Sequence, residues 1–94
     1  MNKYESIIIL QEKLKDEQIN NIINKIENLI NNNGKLIKTT DFGKKQLAYT
    51  INKNHCGFYI QFIFKANVDF INELERIYKI TDEILKFITI KMED

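Results

Sequence analysis

The most reactive side chains of this 94-residue chain, His55 and the single cysteine Cys56, are neighbours in a polar segment. Imidazole and thiolate groups bind zinc and serve in nucleophilic catalysis, but both roles need further ligands or an oriented base. The chain has no other histidine or cysteine. The tripeptide Asp41-Phe42-Gly43 matches a kinase motif by its letters only, because the chain lacks the catalytic loop and is too short for that fold. We therefore predict no metal site and no thiol chemistry at these residues, and no cofactor.

Lysine side chains are the other candidates for chemistry, because their ammonium groups bind phosphate. The pair Lys44 and Lys45 follows Gly43, where it would either contact a nucleic acid or be solvated on a mobile bend. The 14 basic and 13 acidic residues give a formal charge of +1, without the basic excess of a free-standing nucleic-acid binder. The single cysteine, the acidic Glu5 near the N-terminus and the lack of a long apolar run predict a cytoplasmic protein.

Hydrophobic periodicity predicts the elements that position these residues. Runs with β-branched residues predict strands, and apolar residues at helical spacing predict helices. The clearest helix covers residues 16–32, with Asp16 as its N-cap and Gly34 as a left-handed end. The second helix begins at Asn67 or Asp69 and ends at about Lys79. The predicted strands are Tyr4–Leu10, Lys35–Thr40 continuing past a bulge at Gly43 through Leu47–Ile51, then Phe58–Phe64 and Leu85–Lys91.

The order of these elements predicts the fold class. Leu47–Ile51 and Phe58–Phe64 flank a polar segment closed by Gly57, a pattern typical of a β-hairpin. Right-handed crossovers on either side of this hairpin give the order β-α-β-β-α-β. The result is an α+β, ferredoxin-like sandwich with a four-stranded antiparallel sheet and both helices on one face. The predicted strand order is second, third, first, fourth, and residues 1–94 are predicted to form a single domain.

Side-chain alternation along the strands separates two faces of the predicted sheet. Ile7 and Ile9 of the first strand would lie beside Tyr59 and Ile63 of the third on the uncovered face. Exposed contiguous apolar patches are uncommon on monomers, so we expect a protein or RNA to cover them unless long flanking side chains do so. The expected core residues are Tyr4, Ile8, Leu10, Leu47, Tyr49, Phe58, Ile60, Phe62 and Phe64.

Several function classes use this architecture. An RNA-recognition motif needs aromatic residues on the open face of its first and third strands, whereas Tyr4, Phe58 and Phe62 have the opposite parity. An enzyme of the acylphosphatase type needs an arginine-lined anion loop after the first strand, and residues 11–14 contain neither arginine nor glycine. A ligand-sensing or self-associating regulatory module stays open, because it would use the open face or the edge strands.

Short motifs occur at defined places in the predicted elements. They are Tyr4-Glu5, Gly43-Lys44-Lys45 before Leu47-Ala48-Tyr49, Ile51-Asn52-Lys53, and Gly57-Phe58-Tyr59. Together with the element order and the basic Lys91 in the last strand, they resemble the signature of the bacterial small-subunit ribosomal protein six family over essentially the whole chain. Two positions depart from that family: Asn2 is neutral where many relatives have a basic residue, and Thr50 replaces a proline.

The resemblance implies a non-enzymatic, cytoplasmic and ribosome-associated role. Proteins of that family bind the central domain of the small-subunit ribosomal RNA as a pair with small-subunit ribosomal protein eighteen. A basic partner would allow a nearly neutral chain to bind RNA and would cover the apolar residues of the open face. The candidate RNA-binding residues are Lys3, Lys44, Lys45 and Lys91, and the candidate partner-binding residues are Ile7, Ile9, Tyr59 and Ile63.

Overall fold

The computed structural model describes residues 1–93 and has the predicted element order. The sheet has the strand order β2-β3-β1-β4, and each neighbouring pair is antiparallel. The predicted ferredoxin-like arrangement is therefore confirmed. The strands are β1 (Asn2–Gln11), β2 (Gly34–Ile51), β3 (Asn54–Ala66) and β4 (Ile84–Met92), and the helices are α1 (Asp16–Asn33) and α2 (Val68–Ile80).

The first turn of α1 differs from the prediction by one residue, because Lys15 and not Asp16 is the N-cap. The backbone N–H of Lys15 donates to Oε1 of Gln18 at 2.9 Å, which satisfies a group that the helix leaves without a partner. Asp16 lies in the first turn, where its negative charge faces the positive end of the helix dipole. The N-cap of α2 is Asn67, one of the two predicted residues.

The prediction that Gly34 ends α1 in a left-handed conformation is wrong. Its φ of −173° is extended, and the side chain of Asn33 instead donates to the carbonyl of Leu29 at 3.0 Å. Glycine is required for a different reason: a Cβ at this position would lie 2.1 Å from the carbonyl oxygen of Lys65 on β3. The close approach of two backbones therefore explains this glycine.

The β2–β3 hairpin has a shorter turn than the sequence predicts. Asn52 and Lys53 have positive φ angles of 46° and 67°, as in the turns that suit the twist of a hairpin. Most of the polar segment before Gly57 therefore belongs to β3, which begins at Asn54. This arrangement leaves room for a two-residue turn only.

Irregularities in pairing interrupt β2 at three places along its length. The predicted bulge at Gly43 is confirmed by a register shift after Asp41 and by a φ of 78°. A larger irregularity lies between Gln46 and Ile51, and it interrupts the alternation on which the assignment of Tyr49 rested. The prediction that Tyr49 belongs to the core is wrong, because this side chain is 84% exposed.

The core lies between the sheet and the two helices. The predicted helix-facing residues of β1 and β3 are buried, except that Phe58 is partly buried against the cluster. Hydroxyl groups form a chain within this core: the hydroxyls of Tyr78 and Ser6 share a hydrogen bond of 2.8 Å, and Thr89 Oγ1 donates to Ser6 Oγ at 3.1 Å. Burial raises the pKa of Tyr78 above its ordinary value, so the hydroxyl stays protonated.

Candidate nucleic-acid and protein interface

The face of the sheet opposite the helices, here called the open face, begins with a row of lysines. Lys35 of β2 is the register partner of Lys65 of β3, which is the partner of Lys3 of β1. Directly opposed residues of an antiparallel pair point to the same side of a sheet, so the three ammonium-bearing side chains are neighbours. We call these three residues the lysine row. Lys35 and Lys65 are exposed, and Lys3 is partly exposed.

Apolar side chains occupy the middle of the open face. Ile7 and Ile63, two predicted partner-binding residues, are partly buried there, and β4 contributes Ile88 opposite Ile7. Ile88 and Ile90 are 57% and 48% exposed. The sequence analysis missed both, although their alternation with Phe87 and Thr89 gives the signal. We call the set the apolar strip: Ile7, Tyr59, Ile63, Ile88 and Ile90.

Ile9, the remaining predicted partner-binding residue, is already covered by the chain itself. It is only 9% exposed, and it lies outside the cluster that the helices cover. Gly57 is opposite Gln11, and a Cβ on it would lie 2.5 Å from Cγ2 of Ile9 and 3.5 Å from Cδ2 of Leu47. Leu47 is also buried. The absence of a side chain at Gly57 thus allows Ile9 and Leu47 to pack together on the open face.

A shallow depression lies beside this packed pair. It has a volume of about 280 Å³, and the neighbouring depression, of about 180 Å³, shares Ile9, Tyr59 and Lys86 with it. Tyr59 is partly buried between the two. An apolar side chain of a partner would find complementary surface here, with the Lys86 ammonium group at its border.

The predicted RNA-binding pair at the bend of β2 is divided between the two faces. Lys45 is opposite Gly57 and belongs to the open face, where it is exposed. Lys44 is opposite Phe58 and belongs to the helix side, and its Nζ lies 5.3 Å from the centroid of the Phe58 ring. This distance is within the range of a cation–π interaction. One flat surface therefore cannot contact both lysines in the same way.

Lys3 and Lys91, the other two predicted RNA-binding residues, lie close together at one end of the β1–β4 pair. Both line a shallow depression of about 460 Å³, together with Met92 and Glu93. Lys3 is opposite Met92 on the open face, whereas Lys91 is opposite the buried Tyr4 and belongs to the helix side. Lys91 is exposed, so both ammonium groups can reach one ligand around the end of the sheet.

The open face differs strongly in charge from the rest of the chain. The described strands place one acidic residue on this face, Glu5. Its carboxylate accepts a hydrogen bond from Nε2 of Gln61. Residues 1–93 contain 14 basic and 12 acidic residues, so subtracting six lysines and this glutamate leaves 8 basic and 11 acidic residues elsewhere in the described part of the chain. The formal charge of +1 therefore does not describe this surface. The six lysines are Lys3, Lys35, Lys38, Lys45, Lys65 and Lys86.

The segment with His55 and Cys56 has a structural role in the hairpin. Their backbone N–H groups donate to the two carboxylate oxygens of Glu12 at 3.4 and 3.2 Å. The Asn54 side chain accepts from the N–H of Glu12 at 3.0 Å and donates to the carbonyl of Ile51 at 3.1 Å. These bonds hold the hairpin against the loop after β1. Within residues 1–93, no group of three histidine, cysteine or acidic side chains is arranged to hold a metal ion.

Comparison with known proteins relates this geometry to one family. Residues 3–91 match the family model described as ribosomal protein S6. The chain belongs to the ribosomal protein S6 family. The small ribosomal subunit protein bS6 of Caldanaerobacter subterraneus subsp. tengcongensis is 35% identical over 95 residues, and the alignment covers 100% of both chains. The bS6 protein of Clostridium acetobutylicum is 36% identical and covers 99% of each.

A solved structure of the S6 family agrees with the fold. The crystal structure of 30S ribosomal protein S6 from Thermotoga maritima has a TM-score of 0.92 and 28% identity, and it covers 97% of this chain and 87% of that one. As a member of this structural, non-enzymatic family of the small ribosomal subunit, the chain is not an enzyme, as predicted. The predicted cytoplasmic, ribosome-associated location is confirmed by the same membership. Within residues 1–93, no helix has the length and apolar character needed to span a membrane.

Proposed function

We propose that the chain, as a single domain of residues 1–94, binds the central domain of the small-subunit ribosomal RNA together with small-subunit ribosomal protein eighteen. Membership of the S6 family supports a structural place on the small subunit. The observation that carries the proposal is the composition of the open face, where the lysine row lies next to the apolar strip. Such a surface suits a protein and an RNA bound side by side.

The apolar strip supports binding of the protein partner. Ile88 and Ile90 expose about half of their surface, and Ile7, Ile63 and Tyr59 continue the same patch. A contiguous apolar patch gains free energy when a partner removes it from water, at roughly 25 cal/mol per Å². Protein eighteen is therefore proposed to cover this strip and to provide further basic groups to the RNA.

Exposed lysines support binding of the RNA. Lys3 and Lys91 approach the same space at the end of the sheet, and Lys45 extends from the open face at the bend of β2. Each ammonium group that neutralises a phosphate releases counterions, which makes affinity depend on salt. Lys44 is proposed to contact phosphate from the helix side, where the Phe58 ring supports its ammonium group.

Co-purification with the protein-eighteen homologue, followed by an RNA gel-shift series at increasing salt, tests this function. We expect a stable pair whose affinity for the central-domain transcript is higher than that of either protein alone. A symmetric homodimer that excludes protein eighteen would instead support the self-associating regulatory module. If no pair forms and the RNA affinity does not depend on the partner, the proposed function is wrong.

Separate substitutions Lys44→Gln and Lys45→Gln test the two lysines at the bend, because these side chains lie on opposite faces. Each lost phosphate contact should reduce the magnitude of the negative slope of log affinity against log salt by about 0.7 to 0.9. The exposed Lys25 of α1 provides a control, Lys25→Gln, with the same change in net charge. Slopes equal to that of the control would remove both lysines from the RNA contact.

A further inference from the structure

The lysine row places like charges side by side, which destabilises the free protein. Binding of a ligand would explain why lysines occupy these positions. In an antiparallel sheet, directly opposed residues have Cβ atoms roughly 4.5 to 5.5 Å apart, and like charges in such positions destabilise the sheet. The row contains two of these pairs in succession, Lys35 with Lys65 and Lys65 with Lys3. Nothing in the packing of the core requires a lysine at any of these positions, because all three side chains lie on the open face.

Among residues 1–93, no carboxylate lies close enough to pair with these lysines. None of the three lysines forms an ion pair with a side chain of residues 1–93. Glu5 lies on the same face as Lys3, but its carboxylate is hydrogen-bonded to Gln61 and is not within ion-pair distance of any of the three ammonium groups. The row therefore presents three adjacent positive charges, and Lys38, one row further along β2 and opposite Ile63, adds a fourth.

We propose that the lysine row binds the sugar-phosphate backbone of RNA, which would cross the end of the sheet where β1 and β2 begin. This inference rests on the proposed function and assigns Lys35 and Lys65 to the RNA contact in addition to Lys3. A nucleic-acid backbone has a negative charge at every nucleotide, so it can face several adjacent lysines at once. A protein segment would need several acidic residues in succession to do the same.

The row also divides the open face into two regions. RNA bound across Lys35, Lys65 and Lys3 would leave Ile7 and Ile88, two rows away toward the middle of the sheet, free for a protein partner. RNA and the partner would then meet along the row that contains Glu5 and Ile63. This geometry predicts that binding of one does not displace the other.

The double variant Lys35→Gln with Lys65→Gln tests the assignment, and Lys13→Gln with Lys25→Gln is its control. Lys13 and Lys25 are exposed and lie outside the sheet. Each double variant replaces two lysines by glutamine, so both change the net charge equally. With the central-domain transcript and protein eighteen present, the row variant should reduce the magnitude of the salt slope by about 1.4 to 1.8, because each lost contact contributes about 0.7 to 0.9. The control should retain the slope of the original protein.

A measurement without RNA tests the repulsion on which the inference depends. At low ionic strength the row variant should melt at a higher temperature than the original protein, and the difference should shrink as salt screens the charges. The control variant should not show this salt-dependent gain. The same melting behaviour for both double variants would overturn the argument that the row is an uncompensated cluster.

The possible outcomes separate the two proposals. If the original protein binds RNA with its partner but the row variant keeps the full salt slope, the assignment of the row is wrong while the proposed function stands. If the row variant loses protein eighteen and keeps its RNA slope, the row binds acidic protein and the inference is also wrong. If the original protein itself shows no partner-dependent RNA binding, the proposed function fails, and the RNA assignment fails with it.

Discussion

Substitution Gly57→Ala should destabilise the open face through a defined clash. A Cβ at this position would lie 2.5 Å from Cγ2 of Ile9 and 3.1 Å from the carbonyl oxygen of Leu10. The first distance is too short for two carbon atoms, and Cγ2 is bonded directly to the Cβ of Ile9, a β-branched side chain whose χ1 angle is restricted. The φ angle of Gly57 is not positive, so the clash and not backbone strain decides the effect.

The magnitude follows from two opposing contributions. Overpacking of a close-packed site costs about 1–3 kcal/mol, while alanine restricts the unfolded chain and returns roughly 0.4–1 kcal/mol. The difference spans roughly 0–2.6 kcal/mol, so we expect a net loss of about 1.3 kcal/mol in the free energy of unfolding. In an Ile9→Ala background the clashing Cγ2 is absent, so Gly57→Ala should cost much less, and only the contact with the Leu10 carbonyl would persist.

Urea denaturation of the original protein, both single variants and the double variant measures this coupling. A double-mutant cycle isolates the interaction between the two positions, and we expect a coupling energy of about 1–2 kcal/mol. The slope of the free energy against urea should stay constant if the variants unfold in the same way. The same change in stability in both backgrounds, which means no coupling energy, would refute the packing of Ile9 on Gly57.

Two further substitutions examine the core and the apolar strip. Tyr78→Phe removes the 2.8 Å hydrogen bond to Ser6 and should lower the free energy of unfolding by about 1 kcal/mol. Burial raises the pKa of Tyr78, so as the pH passes about 10 the unfolded chain loses this proton before the folded protein does. The free energy of unfolding should therefore fall more steeply above this pH in the original protein than in Tyr78→Phe. Equal pH profiles would contradict the burial argument. Ile88→Ser, at a position that is 57% exposed, should change stability by less than about 0.5 kcal/mol. It should lower the affinity for protein eighteen about tenfold in a pull-down titration. An unchanged affinity would show that Ile88 is not part of the partner contact.

Much of the fold was predictable because hydrophobic periodicity is strong in this chain. The stripe that includes Ile19, Ile26 and Ile30 defines α1, and the alternation in β3 correctly assigned Phe62 and Phe64 to the core. These signals depend on regular geometry, in which the spacing of residues determines the direction of each side chain. Where the geometry is regular, the sequence predicts the structure well.

Features that depend on contacts between distant segments were harder to predict. Gly34 was assigned a left-handed conformation, but its role depends on the approach of Lys65, which is distant in sequence. Tyr49 was assigned to the core because alternation was extended through an irregular part of β2. Ile88 was missed although local alternation places it on the open face, and its pairing with Ile7 shows that it extends the apolar strip. The errors at Gly34 and Tyr49 concern information that strand register provides and local pattern does not.

Strand register also explains how a nearly neutral chain can have a strongly basic surface. Alternation assigns every second residue of a strand to the helix side and the others to the open face. In this chain the core residues occupy the first set, and lysines occupy many positions of the second, while acidic residues are concentrated elsewhere in the sequence. Averaging over the chain cancels these charges, although a ligand on the open face would interact mainly with lysines. The charge relevant to RNA binding is therefore that of one sheet face, which becomes visible only when the strands are paired.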